Sequence, residues 1–132
     1  MVYFAGDVDR CYGRALLFDH GELLANAVRW AIQDTNPIKV EGPGYLVCKL
    51  YRQNNNRLIL HLVNLSGCNQ NPGYLEEFLS VGPITASVRL DGFIPVNASL
   101  KVSGQVVRPQ INGSWATVQI QSLISHELVV FG

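Results

Sequence analysis

The chain has 132 residues, with ten Lys+Arg against ten Asp+Glu, 48% hydrophobic residues and 15% charged ones. That length suits one domain, or one domain with a small appendage, and supports a core without disulfide or metal staples. The balanced charge argues against a nucleic-acid surface, and no apolar run reaches the about 20 residues of a membrane span. So small a charged fraction leaves much apolar surface to bury, some of it against a partner.

In chain order, the apolar run at 2–5 predicts a short strand, stopped by Gly6 and Asp7. Residues 7–19 read as a polar loop. Asp19 is the expected N-cap of a helix, with Glu22 completing a capping box. Leu23, Leu24, Ala27, Val28, Trp30, Ala31 and Ile32 then recur at three- and four-residue spacing, which predicts a helix over about 20–33 ended by residues 34–37. Residues 1–36 thus read as strand, loop and helix, half of an α/β unit with no second βαβ pattern behind it. Its strand and broad apolar helix face need cover. We expect a homo-oligomer, a dimer before a trimer, through Val2, Phe4, Leu23, Ala27 and Trp30, since each large apolar side chain buried is worth about 1.5–3 kcal/mol.

Residues 37–132 read as β. A short strand at 38–40 is followed by the Gly42-Pro43-Gly44 breaker. The clearest signal is a hairpin over 45–64, two β-branched and aromatic runs around an Asn triplet. In its second arm Leu58, Leu60 and Leu62 share one face, while Ile59, His61 and Val63 share the other, which suits a central strand. Further strands are expected at 84–90, 96–100, 102–108, 115–123 and 127–131, with the Asn112-Gly113 turn joining the third of these to the fourth. The predicted fold is mainly β: an antiparallel β-sandwich of roughly six to seven strands, with the N-terminal strand-loop-helix as an appendage. An open barrel is the alternative.

Few residues carry a chemical signature. Cys11, Cys48 and Cys68 form no close pair, which favours a reducing compartment, and the N-terminus lacks a basic patch followed by an apolar run, so the cytoplasm is the expected location. Asn64, Asn97 and Asn112 each begin an Asn-x-Ser triplet, read as turn formers rather than glycan acceptors. Asp7, Asp9, Arg10 and Arg14 make the most charged loop. On an extended segment its two carboxylates would share a face, as a hard-cation or acid/base site needs, but ion pairing is the favoured reading. His20, His61 and His126 are too scattered for a metal site, and neither metal nor cofactor is expected. His61 and Cys48 on facing strands would imitate a nucleophile pair, although both lie in core-type strands. Glu76 and Glu77 lack a glycosidase-like partner. Among Trp30, Tyr45, Tyr51, Tyr74 and Trp115, the rings placed best to stack on a sugar are Trp115, just after a turn, and Tyr74.

The strings VYFAGDVDR, LLANAVRWA, VEGPG and RLILHLVNLSG resemble the C-terminal end of bacterial beta-galactosidase-like glycoside hydrolases, which have a catalytic barrel, a trimerisation domain and a small C-terminal β domain. The resemblance implies that 1–36 is the remnant of a doubly wound trimerisation domain and an association element, and that 37–132 is the β domain. Ala5 stands where the family phrase has Pro. The barrel that bears the family's paired carboxylates has no counterpart, so the resemblance carries no catalytic residue across. The expected role is a non-catalytic accessory or structural domain. The alternatives are a carbohydrate-binding module and, less favoured, a small hydrolase.

Overall fold

Alternating apolar and polar residues dictate most of the architecture. The computed structural model describes residues 1–15, 17–33, 35–53, 57–67 and 77–132. They form two compact units, Met1–Asn36 and Pro37–Gly132.

The first unit is helical. Helix α1 spans Val8–Ala15 and α2 spans Phe18–Ala31. The expected strand at 2–5 does not form, because unit 1 offers no other strand to share its hydrogen bonds. Most of the expected loop at 7–19 is α1 instead. The Asp7 carbonyl accepts from Cys11 N–H at 2.9 Å, and Asp9 in the first turn and Arg14 in the last complement the helix dipole. Helix α2 begins before the predicted cap: Leu17 is the N-cap and no side chain caps it, so Asp19 and Glu22 lie within the helix. The helices meet where the Tyr12 ring lies over Gly21; a Cβ there would be 2.7 Å from Tyr12 Cε2. Helix α2 stops at Ala31, and Gln33 just beyond it takes φ of 51°. Asp34 lies outside the described residues.

The second unit is an antiparallel sandwich. Its strands are β1 (Ile38–Glu41), β2 (Leu46–Gln53), β3 (Arg57–Asn64), β4 (Ile84–Arg89), β5 (Ala98–Leu100), β6 (Gln105–Val107), β7 (Gln110–Asn112), β8 (Trp115–Ile120) and β9 (His126–Phe131). One sheet has the order β1-β4-β8-β7 and the other β2-β3-β9-β5-β6, so each keeps two edges and the barrel alternative is ruled out. Leu58, Leu60 and Leu62 of β3, with Val129 and Phe131 of β9, face Ile84, Ala86 and Val88 of β4 and Ala116, Val118 and Ile120 of β8 in one buried core. The predicted hairpin pairs Leu46 with Asn64 and Gln53 with Arg57; its Asn54–Asn56 tip is outside the described residues.

The expected strand at 102–108 is divided. Gly104, at φ of 72°, ends a turn over 101–104 that folds β6 back onto β5 in the second sheet. The chain then changes sheets at the buried Pro109, which has no N–H to continue a ladder. The Asn112-Gly113 turn therefore joins β7, not 102–108, to β8, pairing Asn112 with Trp115. Short strands at 105–107 and 110–112 bring the total to nine among the described residues.

One end of the sandwich is closed by Asn64, only 3% exposed. Its Nδ2 donates to the carbonyls of Leu79 at 2.7 Å and Ile124 at 2.7 Å, with Leu123 at 3.2 Å as a third, shared acceptor. Its Oδ1 accepts from Ser66 N–H at 2.9 Å. Gly82 lets the same crossing close up, since a Cβ there would fall 2.2 Å from the Gln121 carbonyl oxygen. Replacing Asn64 by Ala orphans these carbonyls, and we expect a loss of about 2–3 kcal/mol in urea denaturation. A loss below about 0.5 kcal/mol would mean that water serves those carbonyls instead.

Candidate functional site

The outer face of the first sheet follows from register. Ser87 pairs with Thr117, Arg89 with Trp115, and Gln110 with Thr117, so these side chains share the outward face with Lys39 opposite Ser87. Ser87 and Thr117 hydroxyls are 2.8 Å apart. Trp115 is half-buried, and Lys39 Nζ lies 4.4 Å from its ring centroid. A sugar would have to displace that ammonium from the ring face, at a cost of about 0.5–1 kcal/mol for an exposed pair. Tyr74, the other sugar-stacking candidate, lies outside the described residues, as do Cys68 and Glu76.

The outer face of the second sheet carries an open groove of about 360 Å³, lined by Gln53, Arg57, Ile59, Asn97, Ser99, Lys101, Val130 and Gly132. Its floor is a row across three strands, Ile59 paired with Val130 and Val130 with Ser99. The next outward row brings Gln53, Arg57, Gly132 and Asn97 together: Gln53 pairs with Arg57, and Gly132 N–H donates to the Asn97 carbonyl at 3.1 Å. Lys101 N–H is held by the Leu128 carbonyl at 2.9 Å, which sets it on the groove's other side. Gly132 adds no side chain and Ser99 a small one, which leaves the sheet concave there. Among the described residues, no Asp or Glu side chain lines the groove. Neither Arg57 nor Lys101 forms an ion pair with a described residue, whereas Arg52, on the same hairpin, is bound to Asp91 at 2.6 Å. Sequence reading passed over these residues, because the β5–β9 pairing that assembles them joins segments about thirty residues apart.

The groups considered for catalysis are dispersed. Cys48 pairs with Leu62 and faces the core, while His61 pairs with Lys49 and points outward, so the two lie on opposite faces of the sheet. Burial pushes the Cys48 thiol up, away from the reactive thiolate. His61 instead meets the Tyr51 ring edge-on at 5.3 Å. Tyr51 in turn raises the Lys49 pKa, chiefly by hydrogen bonding. Asp7 and Asp9 bracket a helix start, not an extended segment, which removes the shared face that period two would have given them. Arg10 Nη1 is 3.6 Å from Asp7 Oδ2 in an exposed pair, and Arg14 is exposed at the far end of α1. Glu77 is exposed. Among the described residues, no three His, Cys, Asp or Glu side chains gather as metal ligands. His20 Nδ1 is enclosed without a hydrogen-bond partner.

Glu127 is buried and structural. Its carboxylate accepts from the N–H groups of Val102 at 2.8 Å, Ser103 at 3.0 Å and Leu128 at 2.9 Å, pinning the β5–β6 turn to β9. Burial alone would raise its pKa; the hydrogen bonds from Val102, Leu128 and Ser103 outweigh that and hold it below the ordinary carboxylate range. A depressed folded pKa contributes stability above the unfolded value, lost as pH falls through the folded one.

In the helical unit, neither helix has a buried residue. Trp30 is 63% exposed, Phe18 77% and Val28 59%. Leu23 and Val2 are exposed, while Ala27 and Phe4 are half-buried. Leu23, Ala27 and Trp30 share one stripe of α2 by their spacing. Among the described residues no helix is long and apolar enough to cross a membrane.

No protein-family model matches this chain, and no curated protein matches it. A solved structure does: alpha-L-fucosidase isoenzyme 2 from Paenibacillus thiaminolyticus, with a TM-score of 0.79 at 19% identity, covering 98% of this chain. The likeness is one of fold. This chain spans only 20% of that enzyme's length.

For Glu127→Gln we expect a loss of about 1–2 kcal/mol at neutral pH, from weakening charge-assisted bonds. The gap from the parent chain should shrink below about pH 4, as the parent's own carboxylate is protonated. Denaturant midpoints across pH check this; a constant gap would show that the charge is not what stabilises the turn.

Proposed function

We propose that this chain is a non-catalytic accessory or structural domain related to glycoside hydrolases, and that it self-associates through its helical unit. The observation behind the first part is the match in fold to about a fifth of a glycoside hydrolase, which takes in nearly all of this chain. The phrases shared with beta-galactosidase-like enzymes support placing it at the C-terminal end of such a hydrolase, with residues 1–36 left from a trimerisation domain.

Self-association rests on the exposed stripe of α2. Leu23, Ala27 and Trp30, with Val2 and Phe4 before the helices, present apolar surface that a second copy would remove from water, and a dimer is the simplest closed arrangement. Carbohydrate binding at Trp115 is the second reading, favoured by the polar row of Ser87, Thr117 and Gln110 beside the ring.

Sedimentation velocity over a wide concentration range should show a monomer–dimer equilibrium, and Trp30→Glu should raise the dissociation constant at least about tenfold, equivalent to 1.4 kcal/mol. A parent chain that stays monomeric throughout sinks the self-association reading. Chromogenic α-L-fucosides and β-galactosides should be hydrolysed no faster than in buffer, and turnover that scales with protein concentration would overturn the non-catalytic one.

A further inference from the structure

We propose that the groove on the outer face of the second sheet binds an acidic saccharide, a short chain carrying a sugar carboxylate. The inference rests on the groove alone and stands whether or not the helical unit self-associates. Three features select the ligand. Arg57 and Lys101 bring two positive charges to a depression lined, among the described residues, by no acidic side chain, and neither is in an ion pair with a described residue. An Arg guanidinium suits a planar carboxylate through two parallel hydrogen bonds, and Lys101 adds a point charge. Gln53, Asn97 and Ser99 add two amides and a hydroxyl, groups that both donate and accept, as ring hydroxyls require.

The floor supplies the third feature. Ile59 and Val130 are half-buried, adjacent in register and uncovered on their outer side within the groove. A pyranose has an apolar C–H face to lay on such a floor while its hydroxyls point to the rim. A simple inorganic anion would use the two cations and the amide donors and leave the apolar floor idle. The volume of about 360 Å³ falls within the about 300–1,000 Å³ common for small-molecule sites. The site is open; β2, β3, β5 and β9 supply Gln53, Arg57, Ile59, Ser99 and Val130, while Asn97, Lys101 and Gly132 sit directly at the ends of β5 and β9.

The test is a titration of the intact, ¹⁵N-labelled chain with tri-galacturonate, with galactotriose and inorganic phosphate as comparison ligands. Tri-galacturonate should give saturable shifts at the amides of Arg57, Ile59, Ser99, Lys101 and Val130. Galactotriose should bind at least about tenfold more weakly, because it lacks the charge that Arg57 and Lys101 recognise. Arg57→Gln with Lys101→Gln should cost at least about tenfold in affinity, and Arg52→Gln, which alters a paired cation outside the groove, should cost nothing. Should the double variant lose its native spectrum, Lys101→Gln alone and added salt take its place, and both should weaken binding severalfold. Absence of groove shifts overturns the site. Equal binding of galactotriose overturns the acidic class, and displacement by phosphate at matching concentration reduces the groove to a simple anion site and overturns the saccharide.

Discussion

The sandwich depends on one buried amide. Asn64 ends β3 where the chain leaves the second sheet, and its Nδ2 holds the carbonyls of Leu79, Leu123 and Ile124. Leu79 lies on the way from β3 to β4, and Leu123 and Ile124 on the way from β8 to β9. Two of the three crossings between sheets at that end are therefore tied to one side chain. The bridge between Val81 and Leu123 repeats the tie in the backbone. Among the described residues, no ladder satisfies the carbonyls of Leu79 and Ile124, so an amide with two protons and an acceptor oxygen is the fitting residue there. The Asn64-Leu65-Ser66 triplet has the form of a glycan acceptor, yet its nitrogen is fully committed to the fold.

Glu127 plays the matching part near the β5–β6 turn, where three N–H groups converge on one carboxylate. Between these two polar clamps the core itself is apolar, from Leu58 to Phe131. The division has a chemical consequence. Among the described residues the one buried carboxylate is consumed by backbone donors, and the half-buried thiol of Cys48 faces away from His61. The Glu127 carboxylate ties a turn to a strand here.

Legibility in the sequence followed the length of each periodic run. The 45–64 hairpin and the strands at 84–90, 115–123 and 127–131 were readable because their alternation extends over five or more residues. Shorter strands such as 105–107 and 110–112 merge with their neighbours, since three residues give alternation no room to declare itself. Helix α1 was missed for a different reason. Gly13 and the charges of Asp9, Arg10 and Arg14 read as loop composition, and only Val8 and Tyr12 mark its packed side. The strand expected at 2–5 had the right residues and no partner, a fact that no local pattern carries.

The sites divide along the same line. Trp115 stood out because a lone indole after an Asn-Gly turn is visible in one dimension, but its ring already carries Lys39. The groove was invisible for the opposite reason. Arg57, Asn97 and Lys101 are unremarkable in their own segments, and they become neighbours only when β3, β9 and β5 lie side by side. A row such as Ile59, Val130 and Ser99 is written in three places and read only through pairing. Outward positions on a central strand need not be polar, so Ile59 looked like partial burial from a covering layer. Within the groove it is a floor that no described lining residue covers, flanked by two cations in no ion pair with a described residue, and the proposed binding rests on that combination.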